Sequence, residues 1–181
     1  MRIIAGSLRA RRLKGPEPGE LSIRPTSDRA REALFSILQR WPKASFLDLF
    51  SGTGAVALEA WSRGYAPVSA VERDPRALKL LNENARGTDI GVIAKDVRRL
   101  PADAFRNLKL IFADPPYAES VALWRELAPR LRPWLDADGL VVWETSADER
   151  LDVDEAAEGA AWALLDSRTY GAAGFHFLRP L

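Results

Sequence analysis

From residue 45 onward, short apolar runs alternate with segments of helical periodicity, and this order constrains the fold more than any other feature of the chain. The runs SFLDLF (45–50), APVSAVE (66–72), GVIAKD (91–96), LKLIFAD (109–114) and GLVVWE (139–144) have strand length. Most are nearly continuous in apolar residues, as strands buried on both faces of a parallel sheet are. Helical patterns lie between them, covering approximately 54–63, 75–86, 97–105 and 119–134. The second of these opens on Asp74-Pro75, an N-cap followed by proline at the first helical position. The alternation predicts βαβ units and an α/β fold with a doubly wound, mostly parallel sheet. The tail departs from this pattern: AWALLDSRTYG and AAGFHFLRPL read as two further strands around a Gly-Ala-Ala-Gly turn, an antiparallel hairpin at the sheet edge. The expected sheet is therefore seven-stranded.

Ahead of this pattern, RIIAGSLRARRLKGP reads as two short strands turned about Gly6-Ser7, followed by a proline- and glycine-rich connector to Pro25. A helix comes next. Thr26, Ser27 or Asp28 can cap it, and Ala30, Ala33, Leu34, Ile37 and Leu38 form its apolar stripe. The expected division is a basic hairpin and connector over 1–25 and one α/β domain over 26–181. A length of 181 residues with 47% apolar content suits one main domain.

Composition removes several classes of chemistry. Without cysteine there is no disulfide framework, no cysteine-ligated zinc and no thiol nucleophile, and a single histidine excludes a histidine-rich metal site. No metal is expected. The N-terminus lacks an apolar signal core, and no apolar run approaches the roughly 20 residues that cross a bilayer. A cytoplasmic enzyme is the expectation. Charge is uneven along the chain: residues 1–43 hold ten Lys/Arg against four Asp/Glu, whereas the remainder is mildly acidic. A basic head on an acidic body suggests an anionic partner, nucleic acid first. Arg2, Arg9, Arg11, Arg12 and Lys14 put five positive and no negative charges into fourteen residues, which favours phosphate contact.

Ligands of open parallel sheets bind beyond the carboxyl ends of the strands. Five successive apolar runs end at or near an acid: Asp48, Glu72, Asp96, Asp114 and Glu144. In the first turn, DLFSGTGAVALEA, the residues Gly52, Gly54 and Ala57 match the dinucleotide fingerprint, and Glu72 lies where a ribose-binding acid belongs. A nicotinamide site must therefore be considered. Against it, Asp48 would repel a pyrophosphate but attract a sulfonium ligand with an amino-acid head. S-adenosylmethionine meets that demand: Glu72 suits its ribose hydroxyls and Asp96 its adenine amino group.

These segments carry a resemblance to a known family. The basic opening RIIAGSLRARRL, the segment RPTSDRAREALFSIL, the turn DLFSGTGAVALEA, the motif DPPY and the late TYG resemble class I S-adenosylmethionine-dependent methyltransferases. More closely, the chain is similar to the bacterial 16S ribosomal RNA guanine-N2 methyltransferases, the RsmD family. The resemblance implies a Rossmann-like fold and a monomeric enzyme that methylates a guanine of the small ribosomal subunit. It implies cofactor contacts from Asp48, Phe50, Ser51, Gly52, Thr53, Gly54, Glu72, Arg73, Asp96 and Val97. It also implies that Arg24, Thr26 and Arg29, in the segment leading into the cofactor domain, help close the site over RNA.

In DPPY, Asp114 and the Pro115 carbonyl can each accept an N–H bond from an exocyclic amine whose lone pair is delocalised into its base. Pro116 and Pro115 restrict the turn, and Tyr117 offers a face on which an extruded base can stack. These four residues are the expected catalytic group. Three other functions stay open at this level: a DNA adenine-N6 methyltransferase, a non-catalytic RNA-binding module and a dehydrogenase. His176 reads as a structural histidine, and the six tryptophans read mostly as core.

Overall fold

The computed structural model describes residues 1–16, 27–151, 153 and 161–181. Most of the expected connector to Pro25, with Arg24 and Thr26, lies outside the described residues. Among the described residues seven strands form a mixed sheet, and the chain divides into two compact units, Met1–Val97 and Arg98–Leu181.

In the first unit the elements run α1 (Asp28–Leu38), β1 (Phe46–Asp48), α2 (Ala55–Ser62), β2 (Val68–Glu72), α3 (Pro75–Asn84) and β3 (Gly91–Ala94). β1 pairs with β2 and β2 with β3, both in parallel, so Leu47 lies opposite Ser69 and Ala70 opposite Val92. Each helix is stopped at its start by recognisable chemistry. Ser27 Oγ accepts the Ala30 N–H at 3.1 Å to begin α1, and Asp74 accepts the Arg76 and Ala77 N–H groups at 2.9 and 3.0 Å to begin α3. The N-cap of α2 is Gly54, which has no side chain to offer. Asp48 supplies the acceptor from the end of the preceding strand, its Oδ2 taking the Ala57 N–H at 3.1 Å.

Two expectations about local structure need correction in this unit. The stripe that α1 buries is Ala30, Arg31, Leu34, Phe35 and Leu38, with Ala33 and Ile37 only half-buried. Phe35 turns inward because it meets Phe46 and Tyr65, each with a ring-centroid separation of 6.1 Å. Arg31 is fully buried yet hydrogen-bonded, donating to the Arg2 carbonyl at 2.6 Å and to Asp28 Oδ1 at 2.9 Å. Burial pushes its guanidinium below the usual arginine range, while Asp28 and Glu59 oppose the shift. The N-terminal hairpin, expected as two strands, pairs antiparallel through one bridge, Arg2 with Arg12, and through the Ile3 and Ala10 N–H groups, which donate to the Arg11 and Ile3 carbonyls at 3.0 and 2.9 Å. Side chains of the first unit's helices bond further backbone groups of this segment.

The second unit runs β4 (Leu108–Ala113), a 3-10 turn (Tyr117–Glu119), α4 (Ser120–Leu131), β5 (Leu135–Ser146), β6 (Trp162–Tyr170) and β7 (Ala173–Pro180). β4 and β5 are parallel, with Ala113 opposite Trp143. β7 is antiparallel to β5 on one side and to β6 on the other, so the tail hairpin closes the sheet with β6 as its outer strand. The helix expected over 97–105 is instead a single 3-10 turn, Val97–Arg99. Pro101 accounts for this, since it cannot donate to a continuing helix and disfavours helical geometry at Leu100. The core of the unit is aromatic: Trp124 packs edge-on against Trp143 and Trp162, each with centroids 5.3 Å apart. Trp124, Trp134, Trp143 and Trp162 are all buried, as the core reading of the tryptophans expects, while Trp41 and Trp61 are half-buried. Among the described residues no helix is long and apolar enough to cross a membrane.

Candidate active site

The glycine turn after β1 is held by the carboxylate at the end of the neighbouring strand. Glu72 Oε2 accepts the Gly52 N–H at 2.7 Å, and Oε1 accepts the N–H groups of Arg73 and Asp74, both at 2.7 Å. A carboxylate has about four lone-pair sites, so these bonds leave Glu72 one short acceptor position, on Oε2, without rearrangement. Gly52 and Gly54 both adopt positive φ, 53° and 82°. At Gly54 the φ of 82° is what favours glycine, and a Cβ there would also sit 2.4 Å from Leu81 Cδ1, so that side chain would have to shift. Ser51 closes the turn from the other side, its hydroxyl donating to the Asp48 carbonyl at 3.0 Å.

The remaining residues expected at a cofactor are distributed as follows. Asp48 is 1% exposed and already caps α2. Ser51, Thr53, Gly54 and Val97 are buried, Phe50, Gly52, Glu72 and Asp96 half-buried, and Arg73 exposed. Arg73 Nη1 pairs with Asp96 Oδ2 at 3.0 Å, joining the ends of β2 and β3. Thr53 turns its hydroxyl toward the Met1 sulfur at 3.8 Å, and its carbonyl accepts from Asn84 Nδ2 at 2.9 Å. The donor set fits S-adenosylmethionine: carboxylates at three successive strand ends, one with an acceptor position to spare, beside a turn with two positive-φ glycines.

DPPY leaves the end of β4. Asp114 and Tyr117 are half-buried, Pro115 is buried and Pro116 exposed. The Tyr117 hydroxyl donates to Glu144 Oε1 at 2.9 Å, and Glu144, near the end of β5, is 2% exposed. One turn later Ser120, itself fully buried, donates to the Glu144 carbonyl at 2.7 Å and accepts the Trp143 indole N–H at 2.9 Å. The segment that follows the two prolines is thus tied twice to the end of β5.

The basic opening separates into two groups. Arg2, Arg9 and Arg12 are exposed, as is Arg29 on the first turn of α1. Arg11 is half-buried and Lys14 exposed, and both also make bonds within the first unit. Arg11 donates to the carbonyls of Asn84 and Arg86 at 2.8 and 3.0 Å, where a cation satisfies the end of α3. Lys14 pairs with Glu83 at 2.7 Å and holds that carboxyl below its usual range. The anchors of this segment are polar residues that the sequence alone does not single out. Fully buried Glu59 accepts the Ile4 and Ala5 N–H groups at 2.8 and 3.0 Å and pairs with Arg63 at 2.7 Å. Ser62 accepts from Leu8 N–H at 2.9 Å and donates to the Ala5 carbonyl at 2.6 Å. Asn84 bonds both the N–H and the carbonyl of Lys14, at 2.8 and 3.0 Å. Their only sequence signal is position: Glu59 and Ser62 fall where an otherwise apolar helix, AVALEAWS, should bury its surface.

Comparison with known proteins identifies the family. Residues 1–179 match the model of the family described as conserved hypothetical protein 95. The chain is 32% identical over 157 residues to Escherichia coli (strain K12) ribosomal RNA small subunit methyltransferase D, covering 83% of this chain and 77% of that protein. It is 30% identical over 187 residues to the Haemophilus influenzae protein of the same name, covering 97% and 91%. The solved structure of a hypothetical protein from Thermus thermophilus superposes with a TM-score of 0.81 at 33% identity, covering 98% of each chain. The match over nearly the whole sequence, together with a mixed sheet whose strands end in the glycine turn and in DPPY, shows that the chain belongs to the conserved hypothetical protein 95 family, the RsmD-like methyltransferases.

Proposed function

We propose that the protein transfers a methyl group from S-adenosylmethionine to the exocyclic N2 amine of a guanine in 16S ribosomal RNA. The observation that carries this reading is the placement of DPPY at the end of β4, with Tyr117 half-buried and fixed through its hydroxyl, in a chain related along its length to ribosomal RNA methyltransferases. Bound S-adenosylmethionine supplies an electrophilic methyl on a sulfonium. In this reading Glu72 uses its remaining acceptor position for a ribose hydroxyl, Asp48 faces the amino-acid end and Asp96 the adenine amino group, with Phe50, Ser51, Gly52, Thr53, Gly54, Arg73 and Val97 completing the surround.

Asp114 and the Pro115 carbonyl accept the two N–H bonds of the target amine. That draws its lone pair out of conjugation with the base, the preparation that a poorly nucleophilic amine requires. Pro115 and Pro116 keep the acceptors in place before the base arrives. Tyr117 receives the base on its ring face. Arg2, Arg9, Arg12 and Arg29 contact phosphates, and Arg24 and Thr26 belong to the same surface. The protein works as a monomer in the cytoplasm, on the small subunit or its assembly intermediate.

The test is a single-turnover assay with labelled S-adenosylmethionine and small subunits lacking the modification, followed by mapping of the labelled nucleotide. Asp114→Ala removes an acceptor for the amine and none for the cofactor. It should retain S-adenosylhomocysteine binding and lose methyl transfer. Label absent from the guanines of 16S ribosomal RNA, or an unchanged rate for Asp114→Ala, would sink this reading.

A further inference from the structure

We infer that Glu144 is a positioning residue for the target base, acting through Tyr117; the inference rests on the role proposed above for DPPY. Four observations meet at this carboxylate. It lies one residue past Trp143, and Trp143 is the β5 partner of Ala113, the residue that leads into DPPY. It is 2% exposed, so a polar group has been placed where burial is costly. Its Oε1 accepts the Tyr117 hydroxyl at 2.9 Å. Its backbone carbonyl accepts the Ser120 hydroxyl at 2.7 Å, and that hydroxyl is oriented in turn by the Trp143 indole N–H at 2.9 Å.

The consequence is geometric. A tyrosine ring on a short turn can rotate about two side-chain torsions, and a base stacked on it would follow. The bond at the far end of the ring removes that freedom, while the Ser120 latch fixes the backbone from which the ring hangs. Glu144 therefore sets the plane on which a base stacks without touching the base itself. Stacking affinity alone would need only the ring. A buried carboxylate behind it is explained by the need for a particular orientation, because methyl transfer requires alignment of the amine lone pair and misplacement by about 1 Å can cost on the order of 100-fold in rate.

The experiment compares Glu144→Gln, Glu144→Ala, Tyr117→Phe and the double variant Glu144→Gln/Tyr117→Phe in single-turnover methylation of unmodified small subunits, with S-adenosylhomocysteine affinity and Tm measured alongside. Glu144→Gln keeps the volume and an acceptor oxygen, so it should fold and lose only a few-fold in rate. Glu144→Ala and Tyr117→Phe should each lose about 10- to 100-fold in rate, with cofactor affinity and subunit KM nearly unchanged. The double variant should be no slower than Tyr117→Phe, since both substitutions act on one bond. Multiplicative losses in the double variant, or a Tyr117→Phe rate equal to wild type, would overturn the inference. Should Glu144→Ala not fold, the comparison of Tyr117→Phe with the double variant still decides. If Asp114→Ala is inactive while Tyr117→Phe and the Glu144 variants are all wild-type in rate, the inference fails and the DPPY reading survives. An active Asp114→Ala removes that reading itself.

Discussion

Glu72 Oε2 receives the Gly52 N–H at 2.7 Å, a bond across twenty residues of chain that fixes the glycine turn to the end of β2. The same carboxylate takes the N–H groups of Arg73 and Asp74, so in the proposed function it both organises the glycine turn and offers the cofactor an acceptor. Glu72→Ala should therefore weaken S-adenosylhomocysteine binding by about 1.5–3 kcal/mol, the range for hydrogen bonds to a charged group, and should also lower Tm. Calorimetry and thermal unfolding measure the two effects separately. A variant with lowered Tm and full affinity would show that Glu72 serves the turn alone.

The exposed arginines of the opening segment give a second expectation. Replacing Arg2, Arg9 and Arg12 by Gln should weaken RNA binding and flatten its dependence on salt, by about 0.7–0.9 in log–log slope for each phosphate that is no longer neutralised. Tm should not change, because these side chains are exposed. Deleting the segment is the poorer experiment, since Glu59 would remain buried without the Ile4 and Ala5 N–H groups it now accepts. Filter binding across a salt series decides the matter: an unchanged slope in the triple variant would assign the cluster to ordinary solvated surface.

What could be read from the sequence follows the range over which the determining interactions act. Strands were legible because buried parallel strands are continuous apolar runs, and α3 because Asp74-Pro75 is a local signal. The pattern around Val97 and Leu100 suggests a longer helix than the 3-10 turn present, because its periodicity does not register the interruption at Pro101. Gly54 was legible as a required glycine, but one reason for it, the Leu81 side chain that fills the space of a Cβ, comes from a helix that approaches only in the fold. Arg31 carries no sequence signal of burial and Glu59 only its place in an apolar helix, yet both are fully buried anchors. A buried polar residue is recognisable only through its partner, and theirs are backbone groups distant in sequence. Glu144 was visible as an acid at a strand end, but its bond to Tyr117 was not.

His176 yields the last expectation, one about pH and stability. It is buried in β7 between Thr145 and Ser167, with Nε2 3.0 Å from Thr145 Oγ1 and Nδ1 3.0 Å from Ser167 Oγ. Thr145 directs its proton to the Ser146 carbonyl at 2.9 Å. A neutral ring that donates through Nε2 and accepts at Nδ1 therefore satisfies both hydroxyls. Burial holds the imidazole below its ordinary value of 6.5, because the charged form loses hydration. The unfolded chain then binds a proton that the folded one does not as pH falls below that ordinary value. Stability from the neutral ring is accordingly present above about pH 6.5 and lost as pH falls through the folded-state value. His176→Gln removes the titrating group and keeps a polar side chain. Its Tm should fall less than that of the wild type between pH 7.5 and 5.5, with parallel behaviour above pH 7. Identical slopes for the two proteins through that interval would show that His176 titrates no differently in the folded state than in the unfolded chain.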